Sequence, residues 1–420
     1  MVSYMRTGLA ALVLSALAGG AGAVDIQVQY SAPGLFKDPV EAIVAEFSRQ
    51  HPDIKINLLG PQQDYEQIVQ HNLRAAITNT LPDVAIHGMN RQRLIAERGI
   101  AQPIDGLIRS DPEFAKLGIT EKSLSVGQVG GKQYGIGLAM STPVIYYNAD
   151  LVKRAGGDPD NFPRDWDGVI ALAKKIDTLD GTRIRGAFFS WQITGNWMWQ
   201  ALVYSHGGTM LTADEKRIAF DNAAGQKAIN VLGRLVNEAN MPNTTFQAAA
   251  PDFIAGRLGM IFDSSAQTGR FNRDVGSAFP VRVAPFPRGT EDGRIPAGGA
   301  AVMLLAKDPA KQKAAWEFIK FATGPQGATI IVKATGYVPA TDLPAKDPKM
   351  LGEFYASSPN HRASLAQLPL ITAWYAFPGE NGVKITDVIK DHLETVVTKT
   401  AKPEDVLKKM TADAQALLPR

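Results

Sequence analysis

The chain contains no cysteine. That excludes disulfides, thiolate metal sites, a cysteine nucleophile and a lipid-attached cysteine. It also has no dominant charge, with 44 Lys and Arg against 41 Asp and Glu. No basic run stands out, so nucleic acid is not an expected partner. Histidine is sparse, and the six present are scattered without a His-Glu-x-x-His zinc motif. His51 and His361 lie beside turn residues and are expected to face solvent. No Gly-x-Ser-x-Gly nucleophile elbow occurs. Gly130-Gly131-Lys132 is no phosphate loop, because no Gly-Lys-Ser/Thr follows at the required spacing. No cofactor or metal is expected, and no catalytic residue is assigned.

Long apolar runs are missing too. Leu9 to Ala18 falls short of the roughly 20 residues that cross a bilayer. Arg6 precedes that run, and Ala21-Gly22-Ala23 follows as a small-residue cleavage site. Residues 1–23 therefore read as a secretory signal peptide, cut before Val24. Without a lipid anchor, an exported protein of this kind is expected in a bacterial periplasm. A length of 420 residues suggests two domains, each with its own core.

What is present is an alternation of strand and helix patterns. Ile26, Val28 and Tyr30 alternate with polar residues, as do Ile54, Ile56 and Leu58. Between them Asp38, Pro39 and Glu41 read as a helix N-cap, a first-turn proline and a capping-box carboxylate. A helix from about Asp64 is expected to carry Ile68, Asn72, Leu73 and Ile77 near one face, ending before Pro82 and a buried strand at Asp83–Ile86. This order implies a parallel sheet covered on both faces. Later segments repeat the theme: a helix over Asp165–Ile176, a strand over Met260–Phe262 ending at Ser264-Ser265, a central strand over Ala300–Ala306 after Gly298-Gly299, and a helix from Asp308 to about Thr323. Two amphipathic helices close the chain. Trp316 falls on an amphipathic helix and reads as core.

The stretch Ala139 to Asn148 organises the whole. A strand beginning near Tyr134 runs through it, and a helix follows at Leu151. It carries Ser141, Thr142, Pro143, Tyr146 and Tyr147. It reads as the point where the backbone leaves one lobe, lines a cleft and enters another. Alternation places Tyr146 and Tyr147 on opposite faces, as core residues.

The order of motifs resembles a known family. Its carriers are Asp64-Tyr65-Glu66-Gln67, Gly131-Lys132-Gln133-Tyr134-Gly135, Ser141 to Asn148, Gly256-Arg257-Leu258-Gly259-Met260 and Thr335-Gly336-Tyr337-Val338-Pro339. The chain is similar to the carbohydrate-type extracellular solute-binding proteins of bacterial ABC importers, nearest the glycerol-3-phosphate-binding subgroup. That resemblance implies the two-lobed α/β periplasmic-binding-protein fold of class II type, with the ligand between lobes. Lobe one would hold 24–140 plus 299–335, and lobe two 141–298 plus 336–420. It also implies membrane permease subunits as partners, and a monomer is expected.

The resemblance carries Tyr65, Ser141, Trp191, Trp197, Ser265, Gly299 and Tyr337 over as ligand positions. From chemistry, Tyr65, Trp191, Trp197 and Tyr337 offer flat surfaces for the C–H faces of a sugar. Ser141, Thr142, Ser264 and Ser265 offer short polar contacts. Gly298 and Gly299 let backbone amides approach a ligand, and Asn381 is a further candidate. Trp197 and Trp199 cannot share one helical face, and Trp197 is preferred for the cleft. Two subgroup positions do not match: an acidic residue falls near Met89 or Asn90, and a phosphate-holding arginine near Lys384 or Thr386. A sugar, polyol or glycoside is thus the expected ligand, with glycerol-3-phosphate or a glycerophosphodiester as the alternative. Rival classes are a secreted carbohydrate-active enzyme, needing paired carboxylates, and a chemosensory binding protein without a transport partner.

Overall fold

A computed structural model describes residues 23–181 and 183–419. The expected signal peptide lies outside the described residues, apart from Ala23. No helix among the described residues is long and apolar enough to cross a membrane.

Two α/β lobes are built on two separate sheets. The first sheet orders its strands Ile54–Leu58, Val24–Gln29, Val84–Gly88, Gly298–Leu304 and Gly135–Ser141. The second orders them Val281–Pro285, Pro143–Asn148, Leu258–Ser264 and Arg185–Phe189. The parallel sheet expected from the first three strands is part of the arrangement, but neither sheet is parallel throughout. Gly298–Leu304 runs antiparallel to both of its neighbours, and Pro143–Asn148 does the same in the second sheet. Each of these two strands starts at a crossing between lobes and runs outward, against strands that end there. Parallel neighbours remain elsewhere, as in Val24–Gln29 beside Ile54–Leu58 and Val84–Gly88.

Local chemistry explains the helix starts. Asp64, Asp165 and Asp308 cap their helices, accepting from Gln67 N, Gly168 N and Lys311 N at 2.7, 2.8 and 3.0 Å. Each such cap contributes about 1 kcal/mol. The first helix departs from expectation. It spans Pro33–Gln50, with Pro33 in its first turn and Pro39 buried inside it. Pro33 suits a helix start as well as Pro39 does, and the extra turn carries Leu35 to the mouth of the cleft. Ile77 is also misplaced by the pattern. Nine residues past Ile68 is two and a half turns, so it lies on the opposite face and is 83% exposed. The buried face is Ile68, Val69, Asn72 and Ala75. His361 is buried rather than solvent-facing, its ring 4.9 Å from that of Phe354, and burial pushes its pKa down. Tyr146 and Tyr147 do occupy opposite faces. Tyr146 packs edge-on against Phe271, while Tyr147 stacks on Phe162 at 4.2 Å. Trp316 is buried and donates its Nε1–H to Asp111 at 2.8 Å.

Residues 141–143 stitch the sheets together. Ser141 pairs with Gly298 in the first sheet, and Pro143 with Ser264 in the second. Between them Thr142 N donates to Ser265 Oγ at 3.2 Å, and Ser265 N donates to Thr142 O at 2.9 Å. Two further crossings flank this one. Pro296 and Gly298 belong to different sheets, with Ala297 N donating to Thr372 O at 2.8 Å. Val338 then pairs with Met140 through reciprocal backbone bonds of 2.6 and 3.2 Å. The closing helices Gly382–Val397 and Pro403–Ala416 pack on each other and on Ala223–Asn237.

A side-chain clasp also joins the lobes, away from the cleft. Arg93 grips both carboxylate oxygens of Glu215 at 2.6 Å, and Tyr375 Oη donates to the same carboxylate at 2.8 Å. The Arg93 guanidinium holds Glu215 below the usual carboxylate range. A bidentate pair of this kind resists small displacements in a way a single-point ion pair does not.

Two outcomes follow from these joints. Gly299 has φ +101°, and a Cβ there would lie 2.0 Å from Ala139 O. Gly299→Ala should therefore cost at least about 1–3 kcal/mol of stability, read as a lowered melting temperature; an unchanged melt would show that the crossing yields freely. Glu215→Gln should loosen the lobes, giving a larger radius of gyration by small-angle scattering in ligand-free protein. An identical scattering profile would show that the clasp does not restrain them.

Candidate functional site

The facing edges of the two lobes enclose a cleft of about 410 Å³. Its walls come from the ends of strands and the starts of helices. Ala32 follows Val24–Gln29, Ser141 ends Gly135–Ser141, Ser190 follows Arg185–Phe189, and Asp263 and Ser264 end Leu258–Ser264. Open α/β sheets place ligands at such carboxyl edges. Helices Pro33–Gln50, Tyr65–Thr78 and Trp197–Ser205 begin at the cleft, so their partial positive ends face it.

Seven of the eleven expected positions meet here: Tyr65, Ser141, Trp197, Ser264, Gly298, Gly299 and Tyr337 all line the cleft. Trp197 is buried with its ring 6.1 Å from that of Trp374, and its Nε1–H has no protein acceptor. Trp199, two residues on, turns away and packs edge-on against Phe220 at 5.6 Å. Burial raises the hydroxyl pKa of Tyr65 well above the usual value and that of Tyr337 to about 12, so both present protonated hydroxyls near neutral pH.

Four expected positions are not brought to the cleft. Thr142 is fully buried at the crossing, where its Oγ1 accepts from Gln367 Nε2 at 2.9 Å. Ser265 has its Oγ taken by Thr142 N. Trp191 is turned into the second lobe's core, while its neighbours Ser190 and Gln192 line the cleft. Asn381 is exposed and donates to Leu417 O at 3.1 Å, tying its loop to the last helix. The alternation of side chains explains the pairs: at Ser190-Trp191 and at Ser264-Ser265 one residue faces the cleft and the next faces the protein.

Sequence reasoning missed several wall residues. Trp374 sits in a loop with no periodicity and is held by its Nε1–H donating to Gly195 O at 3.2 Å. Glu66 lies in the quoted motif beside Tyr65. Its carboxylate accepts from Arg91 Nη2 at 2.6 Å and, across the cleft, from Thr194 Oγ1 at 2.9 Å. Burial alone raises its pKa, but Arg91 and Thr194 outweigh that and leave it lowered. Asp263 is buried at the end of its strand, accepting from Ser190 Oγ and from Ser264 N at 2.6 Å. Burial pushes it up to about 7, against those bonds and the charge of Arg270. Its signal was one charged residue inside the apolar run Met260–Phe262 and Ser264. Among the described residues lining the cleft there are three carboxylates, Asp64, Glu66 and Asp263, and no Lys or Arg. Among the described residues no group of three or more His, Asp or Glu is placed to hold a metal ion.

Such an arrangement is suited to holding a small hydroxyl-rich molecule between rings and polar side chains. Known proteins share it at the level of fold. A cyclic alpha-maltosyl-1,6-maltose binding protein from Arthrobacter globiformis superposes with a TM-score of 0.81 at 22% identity, covering 94% of this chain and 99% of that one. UgpB from Mycobacterium tuberculosis, solved with glycerophosphocholine, gives 0.80 at 21% identity, covering 95% and 98%. In sequence, the sn-glycerol-3-phosphate-binding periplasmic protein UgpB of Pectobacterium atrosepticum is 24% identical over 440 residues, 99% of this chain and 96% of its own. The model of the bacterial extracellular solute-binding proteins matches residues 34–329, well over half the chain, and the protein belongs to that family.

Proposed function

We propose that this protein is the periplasmic substrate-binding component of an ABC importer, and that it carries an uncharged sugar, polyol or glycoside to membrane permeases. The observation that supports this reading is the make-up of the cleft wall. Tyr65, Trp197, Tyr337 and Trp374 supply ring faces, while Ser141, Ser190, Asp263 and Ser264 supply polar contacts. A sugar needs both, because each hydroxyl stripped of water and left unpaired costs about 1–3 kcal/mol. The volume of about 410 Å³ falls within the range of small-molecule sites, about 300–1,000 Å³.

A glycerophosphodiester or glycerol-3-phosphate is the second reading, favoured by the names of the UgpB relatives. The wall argues against it. A phosphate would face Asp64, Glu66 and Asp263 with no cationic side chain among the described lining residues to offset them. Lys384 and Thr386, where the subgroup's arginine would fall, do not line the cleft, and Thr386 Oγ1 donates instead to Val383 O at 2.6 Å.

In a thermal-shift panel of neutral saccharides, polyols, glycerol-3-phosphate and glycerophosphocholine, an uncharged member should give the largest stabilisation. Ligand at a hundred times its Kd contributes about 2.7 kcal/mol. The largest shift from glycerol-3-phosphate would overturn the uncharged-ligand reading. Trp197→Ala should weaken binding of the best ligand at least about tenfold by calorimetry. Because Trp197 is fully buried, the same change should cost about 3–5 kcal/mol of stability. Trp197→Phe, which keeps most of the packing, serves as the control, and unchanged affinity in Trp197→Ala would remove this ring from the site.

A further inference from the structure

The first-lobe carboxylate Glu66 is already balanced by Arg91. Asp263 is different. It lies on the cleft wall with almost no solvent access, and its two bonds come from neutral donors, Ser190 Oγ and Ser264 N. A carboxylate has about four acceptor positions, so these two bonds leave two of them open. Ser190 and Ser264 line the same cleft and hold the carboxylate in place from both sides. Nothing in the fold requires a charge here. The strand partner of Asp263 is Val144, and the pairing is between backbones.

We propose that Asp263 is the specificity-determining acceptor of the cleft, its two open positions taking a pair of neighbouring hydroxyls from the solute. This rests on the binding function argued above and narrows the substrate class to vicinal diols and related polyols. It also has a cost and a consequence. Ionised and unfilled, Asp263 is a buried charge whose hydrogen-bond donors are both neutral, which destabilises the empty protein. Filled by two hydroxyl donors, its charged form is favoured, so binding releases a proton from the fraction still protonated.

The surroundings decide the direction of the pH effect. The groups facing Asp263 are Arg270 on the helix Thr268–Val275, Tyr146 on the neighbouring strand and Tyr337 from the third crossing. Burial raises both tyrosines, so neither changes charge between pH 5.5 and 8. Glu66, across the cleft, has a lowered pKa and stays ionised there. Asp263, at about 7, is the group that titrates. Its folded value lies above its unfolded one. Its contribution to stability is therefore present at low pH and fades as pH rises through 7.

The test uses the mature protein and its Asp263→Asn variant, a neutral isostere that keeps an acceptor for Ser264 N. Both are titrated at pH 5.5 and pH 8 with maltose, trehalose, sorbitol and myo-inositol, in two buffers of different ionisation heat. Wild type should bind its best probe roughly tenfold more tightly at pH 8 than at pH 5.5, with net proton release. Asp263→Asn should bind at least about tenfold more weakly at pH 8 and lose the pH dependence. Without ligand, it should melt above wild type at pH 8, with the gap narrower at pH 5.5. Equal affinity of the two proteins at pH 8 overturns the assignment of Asp263 while leaving the binding function intact. Failure of wild type to bind any uncharged probe overturns both.

Discussion

Everything in this structure depends on how one tripeptide, Ser141-Thr142-Pro143, belongs to both sheets. Ser141 closes the last strand of the first sheet, and Pro143 opens an inner strand of the second. The reciprocal pair between Thr142 and Ser265 leaves no slack between them. Two sheets joined so closely must present their strand ends to each other. The gap that results is bounded by strand ends and helix starts. The inverted direction of Gly298–Leu304 follows from the same geometry, because a chain returning through the crossing enters its sheet from the cleft side.

The electrostatics of the gap are built from opposing terms. Helix starts at Pro33, Tyr65 and Trp197 bring partial positive charge, while Asp64, Glu66 and Asp263 bring negative charge. Helix ends interact with a nearby full charge by about 0.3–1 kcal/mol at exposed sites and up to about 2 where partly buried. That is enough to temper the carboxylates. Arg91 removes Glu66 from the balance, leaving Asp263 as the buried carboxylate whose hydrogen-bond donors are both neutral. On the proposed reading, this charge pattern would sort solutes by sign before any detailed fit is considered.

Much of the fold was legible because caps and alternation are local. Asp64, Asp165 and Asp308 announced their helices, and Gly130-Gly131 announced a tight turn, with φ of +56° and +76°. Errors arose where local rules offered two answers. Pro33 and Pro39 both suit a helix start, and only packing at the cleft decides between them. His361 follows a turn, yet the fold closes over it. The candidate site was legible in its rings, since Tyr65 and Tyr337 stood in quotable motifs and the resemblance carried Trp197 over. It was poorly legible in its polar groups. Whether Ser264 or Ser265, or Ser190 or Trp191, faces the gap depends on the phase of a strand end. A single residue of shift reverses that phase.

The division between Thr142 and Ser141 shows what a hydroxyl needs in order to serve a ligand. Thr142 accepts from Gln367, Ser265 accepts from the Thr142 amide, and both are spent on the crossing. A side chain committed to holding two lobes in register cannot trade that bond for a passing solute without loosening the crossing. The residues free to bind are those whose bonds are unfilled in the folded chain, such as the Trp197 indole N–H, or only half filled, such as Asp263. Unmet polar capacity facing a cavity costs stability in the empty protein and is recovered when a partner arrives. On the proposed reading, the same unmet capacity that makes the cleft a weak point of the fold would make it selective.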